Sequence, residues 1–178
     1  MAAPRLPREI RTAAAAMAAR AGTVSQDRVS LRGHLASDRI CVAAARDILV
    51  VDDNDRHLDI LGTILTSVGH KVETCGSGAA ALGRTEGRPF DVVVLDLVMP
   101  EVSGVMVARR MREIGPNRET PIIICTANVR LVRSQLAGIP GIAGIIGKPI
   151  DTASLILAVA RAPILQRAPR VGDDEPEL

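Results

Sequence analysis

The sequence predicts an α/β fold, an open parallel sheet with helices on both faces, and three observations carry that expectation. Short, continuous apolar runs such as "DILVV" (47–51), "DVVVL" (91–95) and "PIIIC" (121–125) read as strands buried on both faces, a pattern of parallel sheets. Between them lie stretches with apolar residues three and four apart. Strand and helix alternate five times with short connections, and right-handed crossovers then layer helix, sheet and helix.

The first strand, 47–51, leads into "DDNDRHLDILGTILTSVG", where Leu58, Leu61, Ile64, Leu65 and Val68 mark one helix face and Gly69 ends it. "KVETC" (71–75) alternates like a half-buried strand, and "GSGAAALGRTEG" is a short helix between glycines. After the strand 91–95 comes "VMVARRMREIG" (105–115), helical, with its three arginines and Glu113 expected toward solvent. The run 121–125 precedes the helical "VRLVRSQLAG". "IAGII" (142–146) is the fifth strand, and "DTASLILAVARA" (151–162) is the last helix, with Asp151 or Thr152 as its cap.

A chain of 178 residues suits one domain with tails. Apolar residues make up 47% and aromatics 1%, Phe90 being the single one, so the core must be aliphatic. A platform for stacking nucleic-acid bases is excluded, because nothing is available to stack. Residues 1–46 hold eight arginines against Glu9, Asp27 and Asp38, a net charge of +5, whereas residues 47–162 carry −1 and residues 163–178 carry −2. The expected organisation is therefore a basic Ala/Arg-rich extension over 1–46, disordered or an over-long assigned start, then a domain over 47–162 and an acidic tail over 163–178. As a secretory signal the leader fails, since its apolar run is short, Ala-based and bracketed by arginines. No stretch approaches the ~18 apolar residues of a membrane span. Cys41, Cys75 and Cys125 lie far apart without metal-binding spacing, which suits a reducing, cytoplasmic setting.

In open α/β sheets the ligand site lies beyond the carboxyl ends of the strands. Here Asp52 and Asp53 follow the first strand, Asp96 the third, Thr126 the fourth and Lys148 the fifth. Three carboxylates brought together repel one another unless a cation sits among them. An oxygen-only, open and partly hydrated donor set suits Mg2+ better than zinc or iron. With Lys148 and Thr126 such a pocket would accept a dianionic group beside Asp96, which makes Asp96 the candidate nucleophile. Plainer readings exist for each part. Asp52 and Asp53 alone could cap the next helix, and a strand-end Asp or a Lys-Pro step alone could belong to a turn. His57 reads as an ordinary surface residue, and Cys125 as a small apolar group in a buried strand.

"DILVVDDN", "VVVLDLVMPEVSG", "PIIICTAN" and "GIIGKPI" together resemble the signature of bacterial response-regulator receiver domains, in particular single-domain, CheY-like ones. The likeness runs from about Asp47 to Ala162, and its separations are family-like: 43 positions from Asp53 to Asp96, 30 to Thr126 and 22 to Lys148. The resemblance implies a flavodoxin-like sheet of five parallel strands, in the order 2-1-3-4-5, flanked by five helices. It implies that Asp96 takes a phosphoryl group from a histidine kinase or histidine phosphotransfer protein, in a signalling module that is not an enzyme. Asp53 would ligate Mg2+ directly and Asp52 through water, with Asp96 and the backbone carbonyl of Val98 completing the protein ligands. Lys148 would pair with a phosphoryl oxygen, next to a cis bond to Pro149. Thr126 would move toward the phosphoryl group and carry its loop along. Gly104 would permit a tight turn into the third helix.

The departures from the pattern carry information too. Ile145 stands where the family usually places an aromatic partner to the threonine, and His57 where an Asn is common. Val98, two positions after Asp96, offers the hydrolytic water no hydrogen bond, so slow loss of the phosphoryl group is expected. Two rivals follow. A Mg2+-dependent aspartyl-phosphate hydrolase would need a second Asp at the position of Val98, and a phosphorylation-independent docking module would fit the loss of the aromatic at Ile145. Sixteen residues follow Ala162, too few for a helix-turn-helix unit. The expected output is thus contact with a downstream protein, with no DNA-binding domain and no membrane, through the face spanning residues 128–162.

Overall fold

A computed structural model describes residues 45–165. Residues 1–44 and 166–178, and with them most of the expected basic extension and acidic tail, lie outside the described residues. The strands are β1 (Asp47–Val51), β2 (Lys71–Cys75), β3 (Val92–Asp96), β4 (Ile122–Thr126) and β5 (Ile142–Gly147). They pair in parallel in the order β2-β1-β3-β4-β5, which is the order the resemblance implies. Between and after them lie α1 (Asp55–Ser67), α2 (Gly78–Gly87), α3 (Gly104–Glu113), α4 (Val129–Gln135) and α5 (Thr152–Arg161).

Period-two alternation along the buried strands divides the core into two layers. Leu49, Val51, Val93, Leu95, Ile122 and Ile124 face one side and meet Ala81 of α2, Val107, Ala108 and Met111 of α3, and Val132 of α4. Ile48, Val50, Val92, Val94, Ile123 and Cys125 face the other and meet Leu58, Leu61 and Leu65 of α1 with Leu155 and Val159 of α5. Each fully buried aliphatic side chain contributes roughly 1.5–3 kcal/mol, which is how an almost aromatic-free core holds. The central strands β1, β3 and β4 are buried throughout, whereas β2 and β5 at the edges are only half covered.

The ends of the helices settle several expectations. Asn54, and neither Asp52 nor Asp53, caps α1, its side chain accepting from the Arg56 N–H. Both acids are thereby released from a capping role. Asp151 is the cap of α5, accepting from Ser154 N at 2.8 Å. Gly69, after α1, adopts φ +95, the left-handed stop its place in the sequence suggests.

Two arginines behave differently from their sequence reading. Arg112 was expected to be solvated, yet its guanidinium donates to the carbonyls of Pro140 (2.7 Å), Asn117 (3.0 Å), Arg118 (3.0 Å), Thr120 (2.8 Å) and Gly141 (3.3 Å). It sits in the last turn of α3 and ties together the loops that feed β4 and β5. Burial holds its pKa below the ordinary arginine value. Arg46 is 6% exposed, and it donates to the carbonyls of Ala162 (3.0 Å) and Ala160 (3.5 Å) at the end of α5. A cation there complements the negative end of the helix.

Candidate functional site

Strand register brings the expected residues to one edge. Val51 lies beside Leu95, Asp96 beside Cys125, and Thr126 beside Gly147, the residue before Lys148. The carboxyl ends of β1, β3, β4 and β5 are thus level. Asp52, Asp53 and Asp96 each offer an oxygen, and these oxygens lie within 4.8 Å of one another. Asp52 and Asp96 are 1% and 5% exposed, whereas Asp53 faces solvent.

Asp52 is the most heavily contacted of the three. Its Oδ1 accepts from Asn54 N at 2.9 Å and its Oδ2 from Lys148 Nζ at 2.8 Å. The ring Nδ1 of His57 approaches the same carboxylate at 3.0 and 3.1 Å. Lys148 also donates to Asp96 Oδ2, bridging the two buried acids. The remaining oxygen of Asp96, Oδ1, accepts from Val98 N at 3.1 Å. Burial pulls the Lys148 ammonium down, but its hydrogen bonds to Asp52 and Asp96 and their charges together more than offset that, so its pKa stands above the ordinary lysine value.

Thr126 is 2% exposed, and its hydroxyl accepts from Asn128 N at 3.1 Å, while its carbonyl accepts from Lys148 N at 2.8 Å. The Lys148–Pro149 bond is cis. Cys125, beside Asp96, is a buried thiol pushed up to about 12 by burial first, so it contributes no thiolate. Val98 presents its side chain to solvent, 73% exposed, and no acid stands at that position.

Three features were missed in the sequence. The first is His57, read as a surface residue but placed against Asp52 because the first turn of α1 rises directly beside the strand end. The second is the loop after β3, where Val102 N donates to Pro100 O at 2.7 Å across Glu101, which adopts φ +59. This γ-turn is a strained form for a non-glycine residue, and nothing in the sequence announces it. The third is the reason for Gly104. Its φ is not positive; instead an added Cβ would lie 2.0 Å from the carbonyl oxygen of Asp96. Close approach, and not a turn conformation, requires glycine there.

With all three acids ionised, three negative charges face the single ammonium of Lys148. Two remain uncompensated, the charge of one divalent cation. An all-oxygen donor set of this kind fits Mg2+.

The comparisons with known proteins agree with this geometry. The family model for the response regulator receiver domain matches residues 48–160. The chain belongs to that family. Among curated relatives, the signal transduction histidine-protein kinase BarA of Shigella flexneri is 30% identical over 107 residues, 60% of this chain but 12% of that protein. The transcriptional regulatory protein TcrA of Mycobacterium tuberculosis is 33% identical over 117 residues, 65% of this chain and 45% of that protein. This receiver thus matches only a part of longer relatives. Among solved structures, the receiver domain of the sensor histidine kinase PA1611 of Pseudomonas aeruginosa superimposes with a TM-score of 0.61 at 28% identity, covering 67% of this chain and 98% of that one. That structure holds a magnesium ion in its active-site cleft. The chemotaxis protein CheY4 of Vibrio cholerae gives a TM-score of 0.63 at 25% identity, covering 67% of this chain and 100% of that one.

Proposed function

We propose that this receiver accepts a phosphoryl group on Asp96 from a histidine kinase or histidine phosphotransfer protein and signals by contact with another protein. The observation that carries the reading is the convergence of Asp52, Asp53, Asp96, Thr126 and Lys148 on one sheet edge, with Lys148 bridging Asp52 and Asp96.

Asp96 attacks the phosphorus of a phosphohistidine, the P–N bond breaks, and the leaving imidazole takes up a proton. The result is an acyl phosphate on Asp96. Asp52, Asp53, Asp96 and the Val98 carbonyl would hold a Mg2+ ion, which would supply charge neutralisation to the transferring group. The backbone N–H of Val98 keeps the Asp96 carboxylate oriented. Lys148 leaves Asp96 Oδ2 for a phosphoryl oxygen, exchanging one charge-assisted hydrogen bond for another while it keeps its contact with Asp52. Thr126 then turns its hydroxyl to another phosphoryl oxygen. Because that hydroxyl is hydrogen-bonded to Asn128 N, the turn moves the start of α4 with it.

The chain acts as a phosphoacceptor and not as a turnover enzyme, since the exposed Val98 supplies no acid or base to hydrolyse the adduct. The buried free thiols Cys75 and Cys125 support a cytoplasmic setting. No helix among the described residues is long and apolar enough to cross a membrane. A phosphorylation-independent docking module is the second reading, favoured by Ile145 in place of an aromatic.

Intact-mass spectrometry with Mg2+ and acetyl phosphate distinguishes the two. A gain of one phosphoryl group, lost with chelator and in Asp96→Asn, is the expected result. Absence of any adduct while Mg2+ still binds would select the docking module.

A further inference from the structure

His57 takes up acceptor sites on Asp52 that an ion or its water would need. An ionised carboxylate offers about four such sites, a pair on each oxygen. On Asp52 each oxygen already faces two nitrogen atoms. Oδ1 meets Asn54 N at 2.9 Å and His57 Nδ1 at 3.0 Å, and Oδ2 meets Lys148 Nζ at 2.8 Å and the same Nδ1 at 3.1 Å. Asp96 differs, since its Oδ1 accepts from Val98 N and its Oδ2 from Lys148. Asp53 faces solvent. Of the three clustered acids, Asp52 is therefore the one whose acceptor sites are filled by the protein itself.

The place of the ring proton follows from the same distances. An Nδ1 without hydrogen would turn its lone pair on two carboxylate oxygens, like against like. With hydrogen it donates to both, and Nε2 is left as the acceptor. Lys148 Nζ, 3.3 Å from Nδ1, is then a second donor to the same carboxylate and not a partner of the ring. For an ion or its water to reach Asp52, one donor has to leave. Asn54 N is backbone at the cap of α1 and stays. Lys148 is held by two carboxylates, with its side chain 17% exposed. His57 contacts one acid and its side chain is 41% exposed, so it can swing out without disturbing the core.

We propose that His57 is a positioning residue that occupies Asp52 in the metal-free pocket through its Nδ1–H, and that it is displaced when Asp52 joins Asp53 and Asp96 on a divalent ion such as Mg2+. Its hydrogen bond keeps the pocket ordered at low Mg2+ and lowers the affinity for the ion. The inference rests on reading the three acids as a divalent-metal site. A side chain that supports a ligating acid from the outer shell has the opposite sign, because its loss weakens the ion.

Calorimetric titration of the full chain with Mg2+ reads that sign. In His57→Leu the dissociation constant should fall roughly three- to tenfold, the scale of one net hydrogen bond. His57→Asn puts an amide N–H where Nδ1 now stands and should keep the affinity of the unaltered chain. A constant unchanged or raised in His57→Leu overturns the proposal. So does an asparagine variant that binds as tightly as the leucine one, because the effect would then belong to the ring and not to its donor. NMR of the ring nitrogens in the unaltered chain, at mildly alkaline pH in chelator, should find the His57 proton on Nδ1. A proton on Nε2 overturns the proposal even should the leucine variant not fold. An unaltered chain that takes up no Mg2+ refutes the metal reading and the proposal with it, whereas equal Mg2+ binding by all three forms refutes the proposal alone. The phosphoacceptor reading is checked apart from this by the Mg2+-dependent mass gain of the unaltered chain.

Discussion

Gly104 opens α3 where a methyl group has no room. A Cβ there would lie 2.0 Å from the carbonyl oxygen of Asp96, 2.9 Å from its carbonyl carbon and 2.8 Å from Cα of Leu97. Ordinary contacts between carbon atoms are about 3.5–4.0 Å, so Gly104→Ala must part α3 from the end of β3 by roughly an ångström. All three obstructing atoms are backbone, and no change of rotamer relieves them. The bond from Gly104 N to Leu97 O, 3.1 Å, stretches as well. Overpacking costs about 1–3 kcal/mol and a weakened hydrogen bond about 1 kcal/mol, so the substitution should destabilise by about 2–4 kcal/mol. For a domain of this size that lowers Tm by roughly 8–16 °C. The chain has neither Trp nor Tyr, so far-UV circular dichroism is the suitable melt. Gly83 is the control: it lies in α2 with nothing within 4 Å of an added Cβ, and Gly83→Ala should be neutral or stabilise by up to about 1 kcal/mol. A Gly104→Ala melt within about 2 °C of the unaltered chain would refute the close-approach argument.

Three further outcomes can be measured. Lys148→Met removes the ammonium between Asp52 and Asp96 and should cost about 2–4 kcal/mol in chelator, less than a fully enclosed pair because the pocket is open; urea titrations should show Mg2+ stabilising the variant more than the unaltered chain, and an equal gain in both would undo the charge-balance account. His70 accepts from Arg46 N at 3.3 Å, and burial, then the Arg46 charge, hold its pKa below 6.5. Its contribution to stability is therefore fully present above pH 6.5 and is lost as the pH falls through 6.5 toward the folded value, because the unfolded chain takes up the proton first; the fall in urea midpoint between neutral and mildly acid pH should flatten in His70→Gln, and an unaltered slope would exclude His70 as its source. Finally, the acyl phosphate on Asp96 should outlast seconds and decay faster in Val98→Asn, read by intact mass after removal of the phosphodonor; decay within seconds in the unaltered chain would contradict the role given to Val98.

The parts legible in the sequence were those with a period or a fixed direction. Continuous apolar runs identified β1, β3 and β4, because a strand covered on both faces has no polar alternation to confuse the pattern. Once those strands run parallel, Asp52, Asp96, Thr126 and Lys148 must emerge at one edge, and register places them there. Contacts that depend on where a long or mobile side chain ends were not legible. Arg112 shares the composition of a solvated helix face, and only the approach of the loops at Asn117 and Pro140 reveals its five carbonyl partners. His57 is polar on an exposed turn, and its meeting with Asp52 depends on the angle at which α1 leaves the strand. Gly104 was identified correctly as a necessary glycine but for a conformational reason, whereas the cause is a neighbour 2.0 Å away.

The grip of Arg46 on the end of α5 has a consequence for architecture. The chain comes in at Arg46 and goes out past Ala162, and the two points lie within reach of one arginine side chain, whose guanidinium donates to the Ala162 carbonyl at 3.0 Å. A folded unit whose two ends meet adds almost nothing to the contour of a polypeptide that contains it, and closing it off demands little extra loop entropy of its host. Such a bead can be threaded into a longer protein at a surface bend without prying neighbouring domains apart, which suits a unit whose likeness spans 12% of the length of one relative and 45% of another.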